Sequence, residues 1–242
     1  MRGFEEAVFA ANREISELVQ GADDSIYAYA GGKIGFGGDK SLKIDLIAEN
    51  IFIKYLSEFG RINSEECGHI GNGEDEIVID PIDGSSNIAS GLPYFGTSVA
   101  LKRRGVAIIS IVCNIASGEC FVRNPNALFR RFLSGEKCLS IHRQFTPLVG
   151  IFEKAYSHPQ MAEVLRQNGI KFRSPGALAL SLAYAHSVRF VLSAGKHREY
   201  DIIAGLHIDS DLHRYESDKL LIVSQETAIF EQLVALFVEG GL

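Results

Sequence analysis

Apolar residues recur at helical spacing in the first sixty residues of the chain. One stripe runs from Phe4 to Val19 and predicts a helix that ends near Gly21. A second stripe, from Ile44 to Phe59, predicts another helix. The glycine-rich segment 31–41 between them is typical of a loop, and the polar segment 63–68 is typical of a second loop. The pattern therefore predicts two helices ahead of the first sheet.

The pattern then changes to that of β-strands. The apolar segment Ile77-Val78-Ile79 predicts a strand that ends at Asp80. Alternating positions predict antiparallel strands joined at a hairpin turn, Ser117-Gly118, and these strands cover 95–103, 106–115 and 119–123. Shorter strands are predicted at 128–133, 138–142 and 147–152.

The second half of the chain mixes helical and strand patterns. Helices are predicted at 158–168, at 176–186, after Asp201 and at 225–238, and strands at 170–173, 188–192 and 220–223. Because helices cover the faces of sheets, this order predicts an α+β fold in layered αβαβα form. We expect an antiparallel sheet in a first unit, 1–145, and a smaller mixed α/β sheet in a second unit, 146–242.

Composition narrows the class of protein. The 242 residues are 46% hydrophobic and 22% charged, as in soluble globular proteins. A net charge of −6 argues against a nucleic-acid binder, which usually has a basic face. Residues 1–20 are too charged for a signal peptide, and no apolar segment approaches the ~20 residues that span a bilayer. The four cysteines lack paired spacing and are predicted to be reduced thiols, so we expect a cytoplasmic protein with no membrane partner.

The clearest chemistry lies in the segment Asp80-Pro81-Ile82-Asp83-Gly84-Ser85-Ser86-Asn87. The preceding strand would bring both carboxylates to one rim of the sheet, and Gly84 allows a sharp turn of the backbone. Ser85 and Ser86 follow where the N-terminus of a helix offers N–H groups to an anion. Because Mg²⁺ binds carboxylates together with phosphate oxygens, this segment indicates a cation and a phosphate in one site.

This segment and two others, in the same order, resemble the inositol monophosphatase superfamily of metal-dependent phosphatases. The segment from Asp80 is similar to the signature DPIDGTxN, with Ser85 at the threonine position. Ser64-Glu65-Glu66 is similar to the acidic pair upstream of that signature, and Tyr200-Asp201-Ile202-Ile203-Ala204-Gly205 resembles the element WDxAAG. A weaker similarity covers Lys43-Ile44-Asp45. The superfamily includes fructose bisphosphatases and 3′-phosphoadenosine 5′-phosphate phosphatases.

The resemblance implies a sugar-phosphatase-like fold, two or three Mg²⁺ ions and a homodimer. It implies that the metal ligands are the carboxylates of Glu65, Asp80, Asp83 and Asp201 and the carbonyl of Ile82. It implies that Asp45 and Ser85 orient and deprotonate the attacking water. The residues implied to bind substrate are Gly84, Ser85, Ser86, Gly176, Ala177 and Lys196, and the additional site candidates are Glu66 and Lys33.

The expected activity is Mg²⁺-dependent hydrolysis of a small phosphorylated metabolite, an inositol or sugar phosphate. Inositol phosphatases have an acidic residue about two turns before the last metal ligand, whereas segment 192–197 here has no carboxylate. Lys196, His197 and Arg198 could contact a second anionic group, so a phosphatase for 3′-phosphoadenosine 5′-phosphate is one alternative. A catalytically idle relative that binds a metal or a partner is another.

Simpler interpretations exist for the same residues. Asp80, Asp83 and Asp201 are also suited to turns and helix caps, and Glu65 and Glu66 to a solvated surface. The glycine-rich segment lacks the Gly-Lys-Ser/Thr of a nucleotide-binding loop, because Asp39 precedes Lys40. The seven histidines are scattered, and we assign none to metal because Mg²⁺ prefers oxygen ligands.

Overall fold

The computed structural model describes residues 2–240, which form seven α-helices and fifteen strands. The helices are α1 (Arg2–Gly21), α2 (Lys43–Leu56), α3 (Ser85–Ala89), α4 (Pro159–Gln167), α5 (Leu178–Ala183), α6 (Glu199–Ile208) and α7 (Thr227–Val234). The strands are β1 (Tyr29–Ile34), β2 (Lys40–Leu42), β3 (Arg61–Ser64), β4 (Gly68–Ile70), β5 (Glu76–Asp83), β6 (Gly96–Arg103), β7 (Val106–Asn114), β8 (Glu119–Asn124), β9 (Ala127–Phe132), β10 (Leu139–Ser140), β11 (Gly150–Glu153), β12 (Phe172–Arg173), β13 (Val191–Ala194), β14 (His213–Glu216) and β15 (Leu220–Ser224).

Two large sheets organise the fold. The first has eight strands in the order β10-β9-β8-β7-β6-β5-β3-β4, and all its neighbours are antiparallel except β3 and β5. The second has five strands in the order β12-β11-β13-β15-β14, with parallel and antiparallel pairs. The predicted antiparallel first sheet and smaller mixed second sheet are confirmed.

Helices cover the sheets in three layers. Helices α1 and α2 pack on one face of the first sheet, where Phe9 and Ile44 join a buried cluster with Val99. Helices α5 and α6 lie between the sheets, because their apolar residues join clusters with strands of both. Helices α4 and α7 cover the outer face of the second sheet. The predicted αβαβα order is therefore confirmed.

The middle layer depends on one close approach of helices. A Cβ atom at Gly205 of α6 would collide with the side chain of Leu182 on α5. A residue without a side chain therefore lets the two helices pack tightly. This contact helps to hold α6, whose first turn carries Asp201, against β5, β6 and β7 of the first sheet.

The burial of β5 explains why its sequence is a continuous apolar segment that ends in acidic residues. All eight of its residues are buried, because helices cover both faces of this part of the sheet. The prediction that the strand ends at Asp80 was wrong. The strand continues through Pro81 to Asp83 and pairs with β6 across an irregularity between Asp80 and Asp83.

Two predicted loops contain strands. In the glycine-rich segment 31–41, β1 and β2 form a two-stranded hairpin with the pairs Tyr29–Leu42 and Ile34–Lys40. Glycine carries no side chain, so this hairpin has no alternating pattern to detect. The polar segment 63–68 overlaps the end of β3 and the start of β4, and β14 was not predicted. The division at residue 145 stays a prediction.

The prediction of four reduced cysteines was wrong for one pair. Cys113 and Cys120 form a disulfide, while Cys67 and Cys138 are free. The two bonded residues are direct partners in the register of β7 and β8, with Cα atoms 4.0 Å apart. The register of this hairpin brings them together, and a spacing rule for cysteines does not reveal it. None of the helices in residues 2–240 is long and apolar enough to cross a membrane, as predicted.

Candidate active site

A cleft of about 690 Å³ opens where the two halves of the fold meet. Its walls come from the end of β5 and the start of α3, the turn after β3, the start of α6, and the ends of β11 and β13. Acidic residues from distant segments line it, and they include Asp45, Glu65, Asp80, Asp83 and Asp201.

Three of these carboxylates form a compact cluster. Glu65, Asp80 and Asp201 each offer an oxygen atom, and these atoms all lie within 4.8 Å of one another. The parallel pairing of β3 and β5 sets Ser64 beside Ile79, so the next residues, Glu65 just after β3 and Asp80 within β5, lie side by side. Asp201 arrives from the first turn of α6. The structure therefore brings together three of the four carboxylates that the resemblance implies as ligands.

Asp80 and Asp83 lie at the buried end of β5. The side chain of Asp83 accepts a hydrogen bond from the backbone N–H of Leu180 at 2.7 Å, whereas Oδ1 of Asp80 is buried without any hydrogen-bond partner. Burial raises the pKa values of both carboxyl groups well above their ordinary range. The charge of Glu65 raises the pKa of Asp80 further. A buried carboxylate oxygen without a partner is costly unless a cation binds it.

Arg198 partly neutralises the cluster. Its guanidinium lies 2.9 Å from Asp201, 2.9 Å from Glu65 and 2.6 Å from Asp39, measured between nitrogen and oxygen atoms. Burial nevertheless raises the pKa of Glu65 to about 7, against the opposing effect of Arg198. The guanidinium occupies carboxylate oxygens that a cation would use, so the two compete. The guanidinium is thus paired with three carboxylates, and contact of Arg198 with a second anion stays a prediction.

Asp45 and Ser85 are in direct contact beside the cluster. One oxygen of Asp45 accepts a hydrogen bond from the Ser85 hydroxyl at 3.0 Å, and the other accepts from the backbone N–H of Leu42 at 2.7 Å. The same hydroxyl lies 3.0 Å from the carbonyl oxygen of Ile82. Burial raises the pKa of Asp45 to about 6. A carboxyl group with such a pKa is suited to exchange a proton near neutral pH.

The turn after β5 has a backbone that only glycine adopts readily. Gly84 has φ +93°, and a Cβ atom there would lie 3.1 Å from Cβ of Ala177 and 3.1 Å from the carbonyl of Tyr94. Asn87 fixes the turn by donating hydrogen bonds to the carbonyls of Tyr94 and Pro175, both at 2.7 Å. The first N–H groups of α3, from Ser85 and Ser86, have no acceptor within the helix and border the cleft.

The other predicted site residues differ in whether they line the cleft. Gly176 and Lys196 line the cleft, whereas Lys33 and Ala177 are not among the residues that line it. Glu66 accepts a hydrogen bond from the hydroxyl of Ser41. Burial raises the pKa of Glu66, and the nearby charge of Lys33 opposes that shift. Lys33 therefore acts on Glu66 from the β1–β2 hairpin.

Sequence reasoning missed Glu153 at the end of β11. This buried carboxylate accepts hydrogen bonds from the backbone N–H of Gly176 at 2.9 Å and from the hydroxyl of Ser181. Burial raises its pKa. Glu153 thus positions the loop ahead of α5, and an acidic residue that ends a short apolar strand is the only signal the sequence offers.

The residues at the cluster fit a hard divalent cation. The available donors are carboxylate oxygens and the carbonyl of Ile82, which lines the cleft. Mg²⁺ takes oxygen donors of this kind and keeps several water ligands. The unpartnered oxygen of Asp80 is the independent sign that a charge partner belongs here. Glu65, Asp80 and Asp201 would hold the cation.

Comparisons with known proteins identify relatives of the chain. The sequence profile described as "Inositol monophosphatase family" matches residues 42–208. The chain is 30% identical over 156 residues to a fructose-1,6-bisphosphatase of Pyrococcus furiosus, an alignment that covers 63% of this chain and 58% of that protein. It is 31% identical over 176 residues to a fructose-1,6-bisphosphatase/inositol-1-monophosphatase of Methanothermobacter thermautotrophicus, which covers 64% and 61% of the two chains. The chain thus spans about three fifths of the length of these curated relatives.

A solved structure has the same fold. An IMPase of Thermotoga maritima superposes with a TM-score of 0.75 at 23% identity, over 96% of this chain and 97% of that one.

Proposed function

Because the chain belongs to the inositol monophosphatase family, we propose that it is a Mg²⁺-dependent phosphomonoesterase for a small phosphorylated metabolite. One observation carries the proposal: Glu65, Asp80 and Asp201 converge beside the Asp45–Ser85 pair in a single cleft. In the proposal, these carboxylates, with Asp83 and the Ile82 carbonyl, hold two or three Mg²⁺ ions. Ions bound there would neutralise charge on the phosphoryl group and would increase the acidity of water.

Asp45 is proposed as the proton acceptor. Its two oxygens are already fixed by Ser85 and by the Leu42 N–H, so the carboxylate needs little reorganisation. The Ser85 hydroxyl has one hydrogen for two acceptors, Asp45 and the Ile82 carbonyl, and its lone pairs are free to accept from water. Together the two groups orient a water molecule, and Asp45 receives its proton.

The start of α3 is proposed to hold the phosphate. The N–H groups of Ser85 and Ser86 border the cleft, and Gly84 lets the backbone approach a ligand closely. On the far side, Gly176 lines the cleft, with its backbone fixed by Glu153. Such a frame recognises a phosphoryl group and places few limits on the rest of the substrate.

The cationic side chains of the cleft bear on the substrate class. Lys154 and Lys196 line it and are exposed, and segment 192–197 has no carboxylate to bind sugar hydroxyls. These observations favour a phosphorylated sugar with a second anionic group over a neutral inositol ring. A 3′-phosphoadenosine 5′-phosphate remains a second candidate, since it also carries two phosphates.

A substrate panel tests the proposal. Purified protein with and without Mg²⁺ is assayed for phosphate release from inositol 1-phosphate, fructose 1,6-bisphosphate, 3′-phosphoadenosine 5′-phosphate and simple monoesters. We expect Mg²⁺-dependent turnover that is lost in Asp83→Asn, a variant that keeps the shape of the side chain. If no ester on a broad panel is hydrolysed, the chain is instead an idle relative that binds a metal or a partner.

The proposal also includes a homodimer and a cytoplasmic location. Light scattering coupled to size-exclusion chromatography tests the dimer. The Cys113–Cys120 disulfide weighs against a reducing compartment, where such bonds are rare. Titration of free thiols in protein trapped with an alkylating agent at lysis tests the location: four thiols per chain agree with a cytoplasmic protein, and two contradict it.

A further inference from the structure

A second group of potential metal ligands lies at the opposite end of α6 from Asp201. His142 follows β10, His186 lies in the 3₁₀ turn Ala185–Ser187 after α5, and Asp211 lies in the turn after α6. One ligand atom from each of these three residues lies within 4.8 Å of the others. Asp209, the residue that follows α6, lies beside His186. It is eight residues from Asp201, which corresponds to about 12 Å along a helix with a rise of ~1.5 Å per residue.

Two buried side chains at this place, those of His186 and Asp209, lack hydrogen-bond partners. The side chain of His186 is 0% exposed and that of Asp209 is 1% exposed. Neither ring nitrogen of His186 and neither oxygen of Asp209 has a hydrogen-bond partner of good geometry. Nε2 of His186 lies 3.5 Å from Oδ1 of Asp209 and 3.8 Å from Oδ1 of Asp211. Four buried polar atoms without partners in one place are exceptional in a folded protein.

We propose that His142, His186 and Asp211 bind a divalent transition-metal ion of the zinc type, with Asp209 as the buried carboxylate that balances its charge. Two imidazole nitrogens and one carboxylate are a typical set of three protein ligands for Zn²⁺, with a fourth position open to water. This donor set differs in kind from the oxygen-only cluster in the cleft, so the two sites select different ions.

The geometry permits this ion after small adjustments. Tetrahedral Zn²⁺ with bonds of about 2.0–2.1 Å places its ligand atoms about 3.4 Å apart, so the group has to contract slightly. His142 and Asp211 are exposed and can rotate toward the fixed, buried His186. They also give an ion a route from solvent.

Arg123 is the one cation paired with this group in the described part of the chain. It donates to Asp211 and, through Nε, to the carbonyl of Ile208 at 3.0 Å. A carboxylate has two oxygens, so Asp211 can keep its contact with Arg123 through one of them and bind the metal through the other. The charge of Arg214 also acts on Asp209, while the Arg214 guanidinium pairs with Glu216.

An ion here would join three segments that are distant in sequence. It would connect the loop after β10, the turn after α5 and the C-terminal end of α6, and so fix the helix whose other end carries Asp201. The expected effect is stabilisation of the folded chain by Zn²⁺, separate from any effect of Mg²⁺ in the cleft.

Zinc titration of the full chain tests the proposal. Zn²⁺ is buffered with a competing chelator, and saturating Mg²⁺ is present to occupy the cleft. The titration compares the wild-type chain with His142→Gln and with a matched control, His213→Gln, another exposed histidine. We expect one tight Zn²⁺ per wild-type chain, an affinity at least about 100-fold weaker in His142→Gln, and no change in His213→Gln.

X-ray absorption of the zinc-loaded chain gives an independent readout of the ligands. Two imidazole nitrogens at about 2.0–2.1 Å are expected, and His142→Gln should remove one of them. Equal zinc affinity in the wild-type and His142→Gln chains, or no tight zinc at all, would overturn the proposal. A spectrum with oxygen ligands only would place the zinc in the carboxylate cluster and would also overturn it. These readouts do not depend on enzymatic activity, so the phosphatase proposal can fail while this one stands.

Discussion

Glu65→Gln should stabilise the metal-free protein while it weakens Mg²⁺ binding. Burial raises the pKa of the Glu65 carboxyl from 4.5 to about 7. The folded chain thus binds this proton more tightly than the unfolded chain. The ionised form therefore lowers stability progressively as the pH rises from about 4.5 to about 7. Glutamine has the same shape and no charge, so it removes this penalty.

The size of the effect follows from the linkage between proton binding and folding. The rise of the Glu65 pKa from 4.5 to about 7 corresponds to about 3 kcal/mol at pH 8 and to less than about 1 kcal/mol at pH 5. The pKa of about 7 already includes the opposing effect of Arg198, so loss of that ion pair is not subtracted again. A net stabilisation of about 3 kcal/mol at pH 8 is therefore expected.

Urea unfolding with EDTA and with Mg²⁺ measures the effect. With EDTA, Glu65→Gln should be more stable than the wild type at pH 8 and nearly equal at pH 5. Mg²⁺ at 100 times its Kd should stabilise the wild type by about 2.7 kcal/mol and the variant by much less. Glu58→Gln, at an exposed glutamate, is the matched control. A variant that is less stable than the wild type with EDTA at pH 8 would refute the reasoning.

Three further predictions concern the cleft. Asp45→Asn should lower kcat by about 10²–10⁴-fold with little change in KM, measured by steady-state kinetics; a change in KM alone would contradict proton transfer by Asp45. Lys196→Ala should raise KM for fructose 1,6-bisphosphate more than for a monophosphate, and equal changes would remove Lys196 from substrate recognition. Gly84→Ala should destabilise the chain by about 1–3 kcal/mol in urea unfolding. Gly91 also has a positive φ, but a Cβ atom there would meet nothing within 4 Å, so Gly91→Ala should destabilise the chain less than Gly84→Ala. Equal losses of stability would exclude the contact with Ala177 as a cause.

The layered fold was predictable because its strongest signals are local. The apolar stripe of α1 follows from its one buried face, and the apolar residues of β6, β7 and β8 follow from burial of both faces of these strands. The β1–β2 hairpin was not predictable in the same way, since glycines supply no pattern. The Cys113–Cys120 pair depends on strand register, which is fixed by many contacts outside the two cysteines.

The acidic cluster was partly predictable. The sequence indicated Glu65, Asp80 and Asp201 through motifs, and the structure brings them together, while their roles as ligands stay proposals. The direction of the Arg198 guanidinium could not be read from sequence, because three acids and a possible anion compete for it. The unpartnered state of His186 was equally hidden, since it depends on three segments that meet only in the folded chain.

The distance in sequence between Glu65 and Asp201 has a consequence for biosynthesis. Asp80 and Asp83 leave the ribosome long before α6 does, and the tight contact of α6 with α5 cannot form until Gly205 has emerged. During translation the early acids therefore stay hydrated and hold cations only weakly. Binding of metal in the cleft should therefore follow docking of α6. A nascent chain stalled before Glu199 should show no tight binding of magnesium.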